Sequence, residues 1–284
     1  MDIVRFKGGL GNQMFQYALL EALRSRGRNA GGNLGFYKRN PELRQYELDK
    51  VFKNIDLNEV SDEIFEEIDN RWKLIKQDDV WLKQFKSDLE HRFFYVEEKS
   101  YIYDERVFET KECAYVGYWQ TEKYFSNIRS RLQHCFQFDV LDEQLQSLGN
   151  KYVKEYVSVH VRRGDYLFEP RYQTYNFDYY TRAMKLAEER LGKIRFVIFS
   201  DDMEWARENF QGEDVEFFDM SAFDAYQNWY DMYLMTRCVG NIISNSSFSW
   251  WGAWLSGNEL VIAPDTWIKG EDTPDIWCPD WIKI

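Results

Sequence analysis

Tyr156–Tyr166 reads YVSVHVRRGDY. Val157, Val159 and Val161 alternate with Ser158 and His160, the period of a β-strand, and the charges begin where the alternation stops. In an open α/β sheet ligands bind beyond the carboxyl ends of the strands, so a strand here would carry Arg162 and Arg163 into a crevice. A guanidinium offers a rigid fork of donors matched to phosphate oxygens, each charge-assisted hydrogen bond being worth roughly 1.5–3 kcal/mol. The same residues would also make a surface cluster of solvated ion pairs, and the stretch alone does not choose between the two.

Downstream, the pattern repeats. Helix Phe177–Leu191 stops at Gly192, strand Ile194–Phe199 follows, and Ser200-Asp201-Asp202 opens a helix that runs to Asn209. Strand Val215–Phe218, helix Gln227–Cys238, strand Asn241–Ile243, helix Ser249–Ser256 and strand Leu260–Ala263 complete the series. Successive βα units predict a parallel sheet with right-handed crossovers, a Rossmann-like domain. Arg162/Arg163, Asp201/Asp202 and Asn245-Ser246-Ser247 would then share one sheet edge. Arginines and a helix N-terminus there would hold a diphosphate, and Asp201 or Asp202 would accept hydrogen bonds from a ribose or a base. Helix capping is the plainer role for the same Ser and Asp residues.

Upstream, Asp2–Phe6 predicts a short buried strand running into Lys7-Gly8-Gly9-Leu10-Gly11-Asn12-Gln13 and then an amphipathic helix. Such a turn lets backbone N–H groups approach an anion or sugar hydroxyls, although spacing alone favours a simple tight turn. It is not a dinucleotide fingerprint, since the third glycine position is Met14 and no acidic residue ends the next strand; this counts against a nicotinamide-dependent oxidoreductase. Pro41–Lys111 is charged, with helical windows such as Glu59–Ile75. Tyr115–Tyr118 reads as a strand and Trp119–Arg131 as a loop and helix. A boundary near 140–155 gives domains 1–150 and 151–284.

The chain's net charge of −12 disfavours a general nucleic-acid or anionic-membrane binder, which needs a broad basic surface. A local arginine pair for a phosphorylated small molecule is compatible with that charge. Aromatic residues are 18% of the chain, enough to fill cores and also to line sugar-binding clefts. Cys113, Cys135, Cys238 and Cys278 lack CxxC spacing and no secretory signal precedes them, so they are expected to be reduced core thiols. No run approaches the ~20 apolar residues of a membrane span. The expected setting is the cytoplasm, free or peripheral at the inner membrane. His91, His134 and His160 are scattered and no D-x-D triplet occurs, so no metal site is expected and the arginines would supply the positive charge.

In five ordered blocks the chain resembles the α-1,2-fucosyltransferases of glycosyltransferase family 11. They are Gly8–Ala18 (GGLGNQMFQYA), Gly117–Phe125 (GYWQTEKYF), His160–Tyr166 (HVRRGDY), Phe199–Asp202 (FSDD) and Asn245–Leu255 (NSSFSWWGAWL). The resemblance implies a GT-B-type architecture, with two Rossmann-like domains facing a cleft and the C-terminal one holding GDP-fucose. It also implies metal-independent transfer, with inversion, of L-fucose from GDP-β-L-fucose to the 2-hydroxyl of a galactose, with no cofactor beyond the donor. One departure is visible: family members usually carry a basic residue and a His where this chain has Val239-Gly240.

The donor site implied is His160, Arg162, Asp201, Asp202, Asn245, Ser246, Ser247 and Phe248, with Gly9, Gly11, Asn12 and Gln13 bordering the cleft from the other domain. Arg162 and Arg163 would stabilise charge on the departing phosphate. His160 is expected along the donor, on the strand's polar side. Asp165 and Glu169 are the candidate bases, although Asp165, so close to the arginines, reads first as their ion-pair partner; an oxocarbenium-like transition state would need no strong base. The partners expected are GDP-fucose and a galactose-terminated acceptor glycan. The alternative is a non-catalytic glycan- or nucleotide-binding protein on the same fold.

Overall fold

The computed structural model describes residues 1–66, 95–97, 101–109, 112–153 and 155–284. The chain divides between Gln137 and Phe138 into two α/β units. In the first, the elements are β1 (Asp2–Arg5), α1 (Leu10–Ser25), β2 (Ala30–Asn33), α2 (Gly35–Arg39), α3 (Leu48–Val51), β3 (Tyr95–Glu97), β4 (Ala114–Val116) and α4 (Arg129–Cys135). The strands pair in parallel in the order β2-β1-β4-β3. Residues 62–66 are helical, and the rest of the window expected over Glu59–Ile75 lies outside the described residues.

The second unit contains α5 (Glu143–Tyr152), β5 (Tyr156–Val161), α6 (Phe177–Leu191), β6 (Arg195–Ser200), α7 (Met203–Asn209), β7 (Val215–Phe217), α8 (Trp229–Arg237), β8 (Gly240–Ile242), α9 (Ser247–Ser256), β9 (Val261–Ala263) and β10 (Ile282–Lys283). All its strand pairings are parallel, in the order β10-β9-β8-β5-β6-β7. Each unit is thus built on a parallel, Rossmann-like sheet, and the second is doubly wound. Helix α5 falls with the second unit, ahead of position 150, because Leu145 and Tyr152 pack in that unit's core with Tyr156, Val197 and Phe199.

Strand β5 is central, and both of its faces are internal. Val157, Val159 and Val161 pack under α6 against Tyr179, Tyr180, Ala183 and Ala187, whereas Tyr156 belongs to the cluster on the opposite face. Burying one such valine contributes roughly 1.5–3 kcal/mol. The polar side of the alternation is therefore satisfied inside the protein. Ser158 Oγ accepts a hydrogen bond from Asn241 Nδ2 at 2.7 Å, and His160 is only 6% exposed.

Capping explains where the helices start. Asn176 caps α6 at the Asp178 amide (3.0 Å), Asp202 caps α7 at the Trp205 amide (3.2 Å), and Ser246 caps α9 at the Phe248 amide (3.3 Å). Gly192, with φ +75°, ends α6 where the sequence predicts. The four cysteines are buried free thiols.

Candidate active site

The register of β5 against β6 decides the local electrostatics. Val161 lies opposite Ser200, so one step further along Arg162 is level with Asp201, and Arg163 with Asp202. The ion pairs follow that register: Arg162 Nη1 to Asp201 at 2.9 Å, and Arg163 Nε to Asp202 at 2.9 Å. Arg162 Nη2 also donates to Asp165 at 2.7 Å, and the Arg163 amide donates to Asp201 at 2.8 Å. The Arg163 guanidinium lies 4.0 Å from the centroid of the Trp205 ring. Its hydrogen bond holds the Asp202 carboxyl below the usual carboxylate range, helped by the Trp205 amide.

Several expectations are reshaped by these contacts. Asp165 is an ion-pair partner of Arg162, and Asp202 is a cap and an arginine anchor. Glu169 is exposed and stands 4.0 Å from Arg171. A Cβ at Gly164 would lie 2.6 Å from Asp201 Oδ2 and would displace the carboxylate that Arg162 holds.

Strands β6 and β7 continue from β5 in one direction and β8 to β10 in the other, so the chain reverses its winding between β5 and β8. Ligand crevices of open α/β sheets form at that reversal. Here the two strand ends are tied together. His160 Nδ1 and Ser244 Oγ share a hydrogen bond at 2.8 Å, and Tyr166 OH donates to the Asn245 carbonyl at 3.1 Å. Burial, and then the charge of Arg162, hold the His160 imidazole at about 3, so it is neutral at physiological pH. His160 is accordingly a buried, hydrogen-bonded histidine under the site, with the Phe248 ring 5.8 Å away.

Asn245 is 2% exposed, and its Nδ2 donates to the carbonyls of Tyr172 (3.0 Å) and Trp267 (2.8 Å), which fixes the amide orientation. Its Oδ1 is buried with no hydrogen-bond partner. Ser246 caps α9, and Ser247 begins that helix half-buried.

In the first unit β1 and β4 lie side by side at the centre of the sheet, and the loops leaving those strands are Gly8–Gly9 and Gly117–Thr121. Gln120 Nε2 donates to Asn12 Oδ1 at 2.7 Å, and Gln16 Nε2 to the Gly117 carbonyl at 2.9 Å. Gly8 has φ +83°, which favours glycine. Gly9 stands at the N-cap of α1 without a side-chain cap, and a Cβ there would meet nothing within 4 Å. Gly11 is buried in the first turn of the helix. Gln13 was expected beside ligand, but it is fully buried: Nε2 donates to the carbonyls of Gly8 (3.1 Å) and Gln45 (2.9 Å), and Oε1 accepts from the Glu47 amide (2.9 Å). It braces the glycine turn from behind.

The model of the family described as Glycosyl transferase family 11 matches residues 59–284. The chain belongs to that family. It is a glycosyltransferase. An alpha-1,2-colitosyltransferase of Escherichia coli is 30% identical over 303 aligned residues, spanning 99% of this chain and 98% of that one. Galactoside alpha-(1,2)-fucosyltransferase 1 of Alouatta caraya is 28% identical, with 98% of this chain and 73% of that protein covered. Among solved structures, the fucosyltransferase NodZ from Bradyrhizobium is similar with a TM-score of 0.47 and 13% identity, over 88% of this chain and 92% of that one.

The family 11 departure at Val239-Gly240 leaves this edge untouched. Gly240 begins β8, at the end of the sheet away from Arg162, where a Cβ would contact Leu260 and Val157 at 3.4 Å. A cavity of about 530 Å³ lies in the first unit, beside Asn29 and Ala30, at the amino ends of β1 and β2 and away from the glycine turn. Its Glu21 is already paired with Arg24 and Arg131.

One acid that pattern reading missed is Asp231, in the first turn of α8 within the aromatic run Tyr226–Tyr233, where no period singles it out. It is buried and accepts a hydrogen bond from Tyr226 OH at 2.9 Å; burial, with repulsion from Asp201 added, pushes its carboxyl up to about 7. The folded chain therefore holds this proton more tightly than the unfolded chain, and stability falls as pH rises from about 4 through 7. Asp231→Asn keeps an acceptor for Tyr226 and removes that fall. In thermal melts from pH 5 to pH 8 the variant's midpoint is expected to gain on the wild type's as pH rises. A difference constant across that range would show Asp231 ionised throughout.

Proposed function

We propose that this glycosyltransferase moves L-fucose from GDP-β-L-fucose to the 2-hydroxyl of a galactose, with inversion and without a metal ion. The observation that carries the reading is the Arg162–Arg163 fork at the winding reversal of the second unit's sheet, the place where a diphosphate would sit. The 28% identical galactoside alpha-(1,2)-fucosyltransferase supports the linkage and the acceptor class. The second α/β unit is read as the donor half of a GT-B enzyme and the first, which carries Gly9, Gly11 and Asn12, as the acceptor half.

In this mechanism the acceptor oxygen attacks the fucose anomeric carbon opposite the phosphate, the C–O bond to GDP breaks, and its electron pair leaves on the β-phosphate. Arg162 meets that charge by exchanging a carboxylate partner for phosphate oxygens. The start of α9 at Ser246–Ser247 supplies further N–H groups. Asn245 Oδ1 is a buried acceptor without a partner beside this edge. With Asp165 engaged by Arg162, Glu169 is the better placed of the two expected bases, taking the hydroxyl proton late.

A second reading concerns the donor alone. The alpha-1,2-colitosyltransferase relative favours a colitosyl donor with the same linkage. One experiment separates the readings: GDP-fucose or the colitosyl donor is incubated with a panel of galactosides in excess EDTA, and product linkage is read by NMR. An α-1,2-fucosylated product formed equally fast with and without EDTA is the expected result. Transfer only from the colitosyl donor would move the assignment to the second reading. GDP binding without transfer would leave the non-catalytic alternative, and inhibition by EDTA would overturn the metal-free step.

A further inference from the structure

Between β5 and α6 the chain makes two short 3-10 turns, Asp165–Phe168 and Pro170–Tyr172. The base of this loop is pinned. Tyr166 OH bonds to the Asn245 carbonyl, Tyr172 stacks on Tyr166 at 4.7 Å and 21°, and the Tyr172 carbonyl accepts from Asn245 Nδ2. Backbone bonds from Leu167 N to the Arg163 carbonyl (2.9 Å) and from Tyr172 N to the Glu169 carbonyl (2.9 Å) hold the tip. On this braced tip Phe168 is 84% exposed, the most exposed large hydrophobic among the described residues, with Leu167 beside it at 46%.

An aromatic ring held out in water on a braced loop, one short turn from the Arg162–Asp165 pair, buries little for the fold and leaves a face open to an apolar partner. Its neighbours decide what. Asp165 and Glu169 are both more than half exposed, and the chain carries a net charge of −12, which repels the anionic headgroups that basic loops seek. Carboxylates beside a flat ring suit a pyranose, whose C–H face stacks on the ring while its hydroxyls donate to the acids.

We infer that Phe168, with Leu167 beside it, is the platform on which the acceptor sugar rests, an assignment that depends on this sheet edge being the transfer site. Phe168→Ala and Phe168→Trp test it with lactose as acceptor and GDP-fucose as donor. The alanine variant is expected to raise the lactose KM about tenfold while kcat and the donor KM stay put, and tryptophan is expected to restore it. An unchanged lactose KM in the alanine variant overturns the platform. Loss of co-sedimentation with phosphatidylglycerol vesicles at unchanged KM would show a lipid contact instead. Saturation-transfer NMR of lactose with GDP present reads binding without turnover, so the platform is judged even if fucose is not transferred. A lactose signal lost in Phe168→Ala supports it, and a signal equal in both proteins, or absent from the wild type, overturns it.

Discussion

Arg162→Ala is expected to lower transfer about 10²–10³-fold while leaving the melting temperature nearly unchanged. Both partners of Arg162 are carboxylates near the surface, Asp165 and Asp201, and partly exposed pairs of this kind contribute about 0–1 kcal/mol to stability. Under the proposed mechanism the variant loses the charge that meets the departing diphosphate. Arg163→Ala differs in degree, because that guanidinium packs closer to a ring, 4.0 Å from Trp205 against 5.6 Å between Arg162 and Tyr166, and it anchors the carboxylate that caps α7. It should cost roughly 1 kcal/mol of stability in addition to activity. Steady-state kinetics beside thermal melts separate the two. Arg162→Ala turnover within threefold of wild type would mean that the fork only ties loops together.

The division of labour between two adjacent arginines shows how far the chain could be read in advance. Period-two valines and the helix stop at Gly192 are local signals, and the second sheet follows them closely. Register is not local. That Arg162 faces Asp201 and Arg163 faces Asp202 depends on Val161 sitting opposite Ser200, a pairing between residues distant in the chain. The same holds for His160. Its place in an alternating strand suggested a polar face, yet in a central parallel strand both faces are internal. Gln13 was legible as part of a glycine turn, but its partners Gln45 and Glu47 come from a segment without a pattern. Short strands such as Ala30–Asn33 and Ile282–Lys283 escaped because so few residues, two of them glycine in the first case, carry no period.

Trp250→Ala is expected to destabilise the second unit by about 3–5 kcal/mol, a large share of the roughly 5–15 kcal/mol that holds a typical domain. Trp250 is fully buried in α9, its rings sit 5.0 Å from Trp251 and 5.3 Å from Trp281, and its Nε1 donates to the Ile276 carbonyl at 2.6 Å. Removing it opens a cavity and strands that carbonyl. By contrast, Ser246→Ala removes one cap, worth about 1 kcal/mol. Because α9 also presents Ser246 and Ser247 at the sheet edge, the two kinds of damage can be told apart with GDP. Ligand at a hundredfold excess over its Kd stabilises the folded form by about 2.7 kcal/mol, whatever the source of the instability. GDP should therefore restore much of the urea midpoint lost in Trp250→Ala, whose site is intact when folded, and do far less for Arg162→Ala, whose fold is intact but whose site is not. Equal protection of both variants would place GDP away from the Arg162 edge.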